Sequence, residues 1–255
     1  MKAKKTILIT GATSGIGKAC AEKFAANNCN VIITGRRIDL LKDLAAKLKK
    51  QYDALVYCSS FDITNPEYAE MAFAHLPAKM KNIDVLINNA GLAVGLNTID
   101  KGIIDDWERM IDTNIKGLLY MSRKIIPMMV ERGKGHIINI GSIAGKEVYM
   151  NGNVYCATKH AVDALTKAMR IDLLQHGIKV SAVHPGAVET EFSLVRFKGD
   201  KQTADNVYKG FKPLTGKDIA EVVYYVTTLP DNVNINDVIV TPTAQANATY
   251  TFKKG

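Results

Sequence analysis

Directly after the apolar run Thr6-Ile7-Leu8-Ile9 comes Thr10-Gly11-Ala12-Thr13-Ser14-Gly15-Ile16-Gly17, which opens the amphipathic stretch from Lys18 to Asn27. A buried strand that passes through glycines straight into a helix commits a chain to strand–helix alternation, because the next strand must return along the sheet that the helix covers. The same turn brings backbone N–H groups and the positive end of the helix dipole to one spot, which suits an anion. The G-x-x-x-G-x-G spacing differs from the commoner G-x-G-x-x-G of dinucleotide folds, yet strand, turn and helix stand in the order that a pyrophosphate cradle needs. Gly11, Thr13, Ser14, Gly15, Ile16 and Gly17 are its candidate contacts.

The rest of the chain keeps the alternation. Strands are expected near residues 6–10, 30–34, 54–59, 83–87, 136–140, 178–184 and 237–240, and helices near 15–27, 38–50, 66–79, 104–131, 154–176 and 216–228. Right-handed crossovers then give a doubly wound α/β fold, a parallel sheet of about seven strands with helices on both faces. Ligands of such sheets collect at the carboxyl ends of the strands. With 255 residues and 47% hydrophobic content the chain can bury a full core, and no linker or repeat divides it. A single domain over 1–255 is expected, with a substrate loop near 188–212.

Composition excludes several other functions. The net charge of +8 comes from lysines scattered in twos, with no basic stripe interleaved with aromatics, so a solvated surface is expected and not a nucleic-acid site. Cys20, Cys29, Cys58 and Cys156 lack metal-ligand spacing and read as buried thiols. The five histidines are dispersed, and His184, before Pro185, reads as a packing or loop residue; no metal is expected. No apolar run is long enough to span a membrane, and Met1-Lys2-Ala3-Lys4-Lys5 leads straight into a strand, so a soluble cytoplasmic protein without a cleavable signal is expected.

The second strand ends Ile33-Thr34-Gly35-Arg36-Arg37. In dinucleotide folds an acid at this place accepts from ribose hydroxyls and favours NAD, whereas a base accommodates a 2′-phosphate. Two guanidiniums and no acid favour NADP. Farther along, Tyr155 and Lys159 in Tyr-Cys-Ala-Thr-Lys share one helix face. A phenol with a pKa of about 10 beside a cation is an acid brought closer to neutral pH, useful for protonating a carbonyl oxygen.

Further segments follow strands in the same way: Asn88-Asn89-Ala90-Gly91 after Ile83 to Ile87, and Ser142 after Ile137 to Ile140. Together with Asn114 and Pro185-Gly186, these residues stand in an order and spacing that resembles the short-chain dehydrogenase/reductase family over nearly the whole chain. The resemblance implies a Rossmann-type fold and hydride transfer between NADP and a carbonyl carbon. It implies that Tyr155 supplies the proton, Ser142 donates a hydroxyl, Lys159 holds the nicotinamide ribose and stabilises phenolate, and Asn114 anchors a proton-relay water. It also places Asp62 at the adenine and adds Ile63, Asn88, Ala90, Gly91, Pro185, Gly186, Val188 and Thr190 to the cofactor contacts. A homotetramer is implied too, with the helices at 104–131 and 154–176 facing symmetry mates. Leu118, Met121, Ile125, Val162 and Leu165 suit that face or, equally, burial against the sheet.

The segment from Pro185 to Asp200, with Glu191-Phe192-Ser193 and Val195-Arg196-Phe197-Lys198-Gly199-Asp200, and the tail Pro242-Thr243-Ala244-Gln245-Ala246 resemble NADP-dependent 3-hydroxy acid dehydrogenases of the serine or allo-threonine type. The implied substrates are small 3-hydroxy acids and the corresponding 3-oxo acids or semialdehydes. A small carboxylate has little apolar area to bury and must be gripped by charge, for which Arg196 is the candidate and Lys198 the reserve. The competing role for Arg196 is a structural or cofactor-phosphate contact. Cys156, where many relatives carry a smaller residue, and Lys146-Glu147 after Ser142 depart from the commoner pattern. A 3-oxoacyl-carrier-protein reductase or a broad carbonyl reductase would share the catalytic set, the former needing a clustered basic patch beside the pocket. A non-catalytic NADP-binding redox sensor would usually lack one of Ser142, Tyr155 and Lys159.

Overall fold

In the computed structural model residues 4–254 are described; Met1 to Ala3, which begin the expected signal-free amino terminus, and Gly255 lie outside the described residues. Four-residue β1 (Thr6–Ile9) shows how the strands work: Ile7 and Ile9 enter one core and Leu8 the other, and all are fully buried. Alternate side chains of a strand leave on opposite faces, so an unbroken apolar run marks a sheet covered on both sides. Truncating one such residue to alanine costs about 2–5 kcal/mol.

The sheet also contains β2 (Asn30–Gly35), β3 (Val56–Ser60), β4 (Val85–Asn88), β5 (Gly135–Ile140), β6 (Ile178–Pro185) and β9 (Asp237–Val240). Its order is β3-β2-β1-β4-β5-β6-β9, with every pair parallel. All seven expected strands are present within about two residues of their expected ends, the usual fraying of such boundaries. Helices α1 (Gly15–Ala26), α2 (Ile38–Gln51) and α9 (Gly216–Thr228) cover one face through Phe24, Leu41, Leu44 and Ile219. On the other face lie α3 (Pro66–Ala74), α5 (Leu118–Arg132) and α6 (Asn153–Asp172), packed through Phe73, Met121 and Val162. Strand order reverses between β1 and β4, and a crevice opens above that switch point.

Several elements differ from expectation. The long helix over 104–131 is three pieces, α4 (Ile104–Ile111), a π-helical turn (Asp112–Gly117) and α5, which ends at left-handed Gly133. The helix expected over 66–79 stops at Ala74, two residues before the Leu76-Pro77 bond that disfavours helical backbone at Leu76. Beyond β6 lie short pieces with no sequence counterpart: β7 (Val188–Glu189), α7 (Glu191–Arg196), α8 (Lys201–Asn206) and β8 (Leu214–Thr215), with β7 and β8 paired in parallel. Leu118, Met121, Ile125 and Val162 face the sheet, and Leu165 packs on the same core. Of the two readings for these residues, burial within the subunit is the one observed. Cys58 is half-buried, unlike the three other thiols.

Candidate active site

A cleft of about 730 Å³ follows the carboxyl ends of the strands from Arg36 to Arg196. Among the expected cofactor contacts, Gly11, Thr13, Ser14, Gly15, Ile16, Arg36, Arg37, Asp62, Ile63, Ala90, Gly91, Tyr155, Lys159, Pro185, Gly186, Val188 and Thr190 line it.

At its floor the glycine turn is locked to the loop after β4. Gly11 holds φ +66°, and a Cβ there would lie 2.9 Å from the Ala90 Cα, so only glycine permits the approach. Buried Thr10 accepts through Oγ1 from the amides of Asn89 (3.0 Å) and Ala90 (2.9 Å), while Asn89 Nδ2 donates to the carbonyls of Thr10 (2.9 Å) and Gly11 (3.1 Å). Asn89, missed in the sequence, thus lines the cleft. Asn88 does not, because its side chain points into the core and Nδ2 donates to Ser122 Oγ and Asn139 Oδ1. One residue along a strand reverses the face, which is why the motif alone mis-assigned the pair. Gly17 also lies off the cleft, packed against Asn89 and the Gly11 carbonyl.

The start of α1 is open to an anion. Ser14 makes no side-chain cap, and the first turn carries no acid. Arg37 donates to Thr13 Oγ1 (2.9 Å), to Ser14 Oγ (3.0 Å) and to Glu191 Oε2 (2.9 Å). Arg36 is 67% exposed, with one long ion pair of 3.9 Å to Asp62. Asp62 Oδ1 accepts from the amide and hydroxyl of Thr64, which fixes the loop after β3. Cradle shape, uncapped amides and a free guanidinium at the end of β2 fit a dinucleotide bearing a 2′-phosphate.

At the far end stand Ser142, Tyr155 and Lys159. Ser142 begins a single 3₁₀ turn (Ile143–Gly145), its Oγ accepting from the Ala144 amide at 3.1 Å. Tyr155 and Lys159 occupy successive turns of α6, both buried. Burial pushes the Tyr155 phenol up to about 12, against the pull of Arg196 and of a hydrogen bond with Ser142. Burial draws the Lys159 ammonium down to about 8, and its Nζ donates to the Ile140 carbonyl at 3.0 Å. Arg196, whose guanidinium reaches over the Tyr155 ring, is a cation that offsets burial at the phenol.

Asn114 lies behind the cleft in the π-helical turn. Its Oδ1 accepts from the Leu92 amide (2.8 Å), and Nδ2 donates to the Leu92 carbonyl (2.8 Å) and Thr158 Oγ1 (3.0 Å). The side chain is thus spent on pinning the loop beyond Gly91, close to Lys159. Arg196 ends α7, its guanidinium 5.0 Å from the Tyr155 ring centroid, 5.4 Å from Tyr149 and 5.7 Å from Phe192. It donates to the Tyr149 hydroxyl, yet its buried Nε has no hydrogen-bond partner. Lys198 turns away to Asp106 at 2.8 Å and leaves Arg196 as the cation over the phenol. Tyr149, six residues before Tyr155 in an irregular loop, had no periodic signal to reveal it.

A family model for short chain dehydrogenase matches residues 5–200. The NADP-dependent 3-hydroxy acid dehydrogenase of Schizosaccharomyces pombe is 44% identical over 251 residues, covering 98% of this chain and 97% of that protein. Serine 3-dehydrogenase of Agrobacterium fabrum is 41% identical over 245 residues, 96% of each. Among solved structures, the closed form of serine dehydrogenase complexed with NADP+ superposes with a TM-score of 0.92 at 44% identity, covering 98% of this chain and all of that one. The match spans the glycine turn, Ser142, Tyr155 and Lys159, and the chain belongs to the short chain dehydrogenase family.

Proposed function

We propose that this chain is an NADP-dependent oxidoreductase that interconverts a small 3-hydroxy acid with its 3-oxo acid or semialdehyde, serine being the type suggested by its relatives. The observation that carries the substrate class is Arg196. Half-buried Arg196, with an Nε that has no hydrogen-bond partner, stands beside the phenol that handles the proton and keeps donor capacity for an anion. A substrate carboxylate accepted there puts the carbon two bonds away within reach of Tyr155 and Ser142. The segment 188–212 serves as the substrate loop of a single 1–255 domain.

When bound, NADP supplies the hydride acceptor, and NADPH the donor in the reverse direction. Uncapped amides at the start of α1 hold the pyrophosphate, Arg36 with Arg37 the 2′-phosphate, and Asp62 with Ile63 the adenine end. In oxidation the C3 hydroxyl gives its proton to the Tyr155 oxygen as the C3–H bond breaks. In reduction Tyr155 returns that proton to the carbonyl oxygen, and Ser142 donates to the charge developing there. A phenol near 12 is fully protonated at neutral pH, so reduction finds its acid ready, while oxidation quickens as pH rises. Lys159 holds the nicotinamide ribose and passes the proton on, and Asn114 keeps the Leu92 backbone in place for that relay.

A homotetramer in the cytoplasm completes the proposal; no helix among the described residues is long and apolar enough to cross a membrane. The test is a panel of small 3-hydroxy acids, aliphatic alcohols and an acyl-carrier thioester, assayed by NADP-linked absorbance change. Turnover of the acids at least about tenfold above the alcohols is expected from one charge-assisted contact. Preference for the thioester would replace the reading with a carrier-protein reductase.

A further inference from the structure

Behind Ser142, on the side away from the cleft, lies a cluster of charge. His184, fully buried at the end of β6, places Nδ1 3.3 Å from the Ser142 carbonyl and Nε2 3.0 Å from Asp237 Oδ1 on β9. Asp163, four residues beyond Lys159 on α6, lies 3.8 Å from the same Nε2. The Lys146 ammonium bridges Asp163 (2.6 Å) and Asp237 (3.2 Å), and Lys167 adds a contact to Asp163 (2.6 Å). Although Asp163, His184 and Asp237 could offer three ligand atoms within 4.8 Å of one another, Lys146 already supplies the cation between the carboxylates.

The cluster joins three segments that carry the chemistry, and Asp237 ties them to β9. Lys146 stands four residues past Ser142, Asp163 shares a helix with Tyr155 and Lys159, and His184 precedes Pro185-Gly186 of the cofactor wall. Packing reinforces it, since Gly141 lies against the His184 ring and Gly145 against the Lys159 backbone. The loop from Gly141 to Gly145 is held between an imidazole and a helix. A neutral imidazole carries one N–H, and the nearer, charged Asp237 takes it at Nε2, so the ring meets the Ser142 carbonyl by contact and not by donation; held by Asp237 and pressed against Gly141, it limits where the backbone that carries the Ser142 hydroxyl can sit.

We infer that His184, braced by Asp237 and Lys146, is a positioning residue that sets where Ser142 presents its hydroxyl to the reacting oxygen. The inference rests on the proposed role of Ser142, which its test examines separately. A misplaced donor weakens the transition state and leaves ground-state binding largely alone, so the effect belongs in kcat. Glutamine can place an amide donor near the Nε2 position, toward Asp237, whereas leucine keeps bulk and loses that donor.

The experiment measures kcat, KM, the NADP dissociation constant and the melting temperature for His184→Leu, His184→Gln and Asp237→Asn, each in the native background and with Ser142→Ala. His184→Leu should lower kcat about tenfold, with KM and NADP affinity within about twofold, and His184→Gln should recover most of the loss. Asp237→Asn, a half-exposed change that spares the fold, should lower kcat about threefold. In the Ser142→Ala background all three should change kcat by less than about twofold, because the group they position is gone. Equal losses with and without Ser142, no recovery by glutamine, or a KM that moves with kcat would overturn the inference. A Ser142→Ala enzyme that keeps native kcat would remove the reading of Ser142 itself, and the inference with it; loss there but none in the His184 and Asp237 variants would remove the inference alone.

Discussion

Replacing Arg196 with methionine should separate two effects that the structure superimposes on one side chain. The first is the grip on a carboxylate, a charge-assisted contact of about 1.5–3 kcal/mol, or about 10- to 150-fold in kcat/KM. The second acts on the proton. At the 5.0 Å between guanidinium and Tyr155 ring, Coulomb's law gives about 1 kcal/mol at the dielectric of water and about 3 kcal/mol at an effective value near 20. Losing it raises the phenol further from its already raised position. An uncharged alcohol would therefore also be oxidised more slowly, and oxidation rates alone would confuse the two effects. Reduction at about pH 7 avoids this, since a phenol near 12 is protonated with or without Arg196. In that assay the 3-oxo acid should lose 10- to 150-fold while an uncharged ketone of similar size changes by less than about threefold. In oxidation both substrates should need a higher pH to reach the same fraction of maximal rate. Equal losses for acid and ketone in reduction, at unchanged NADP affinity, would refute the carboxylate contact. An unshifted alkaline limb would refute the coupling to Tyr155.

Arg36→Ala should weaken NADP binding at least about tenfold in titration and barely alter NAD, because its guanidinium has only a 3.9 Å partner to lose. Arg37→Ala, which also frees Thr13, Ser14 and Glu191, should weaken both cofactors. Tyr155→Phe should cut turnover by at least about 100-fold with NADP affinity nearly intact; retention of a tenth of native turnover would place the acid elsewhere. Burial and nearby lysines pull the His136 imidazole down to about 3, so the native state keeps it neutral while the unfolded chain protonates it below about 6.5. Its contribution is therefore complete above that pH and is lost, at about 1.4 kcal/mol per unit, as pH falls toward 3; His136→Asn should flatten this part of a urea-denaturation series.

The sheet was legible because burial on both faces writes an unbroken apolar run, as in Ile7 to Ile9, and because glycine marks the turn after β1. The break in the helix expected over 104–131 was not, since a single π turn has no cap or proline to mark it and is too short for its shift of register to show. Segments of two to six residues such as β7, α7 and α8 are too short to display any period. Tyr155 and Lys159 could be paired from helical spacing, but which cation faces the phenol depends on a chain reversal that brings Arg196 back over α6. Asn89 and Tyr149 escaped for related reasons, one through strand parity and the other through a loop with no regular geometry.

Arg37 holds the glycine turn with one side of its guanidinium and Glu191, at the start of α7, with the other. A side chain shared between cofactor floor and substrate lid makes the two binding events thermodynamically reciprocal, whatever their order in time. Whatever factor a bound nucleotide adds to the affinity for the proposed substrate, the bound substrate adds to the affinity for the nucleotide. For an enzyme that must bring two molecules together before a hydride moves, such linkage favours the ternary complex over either binary one.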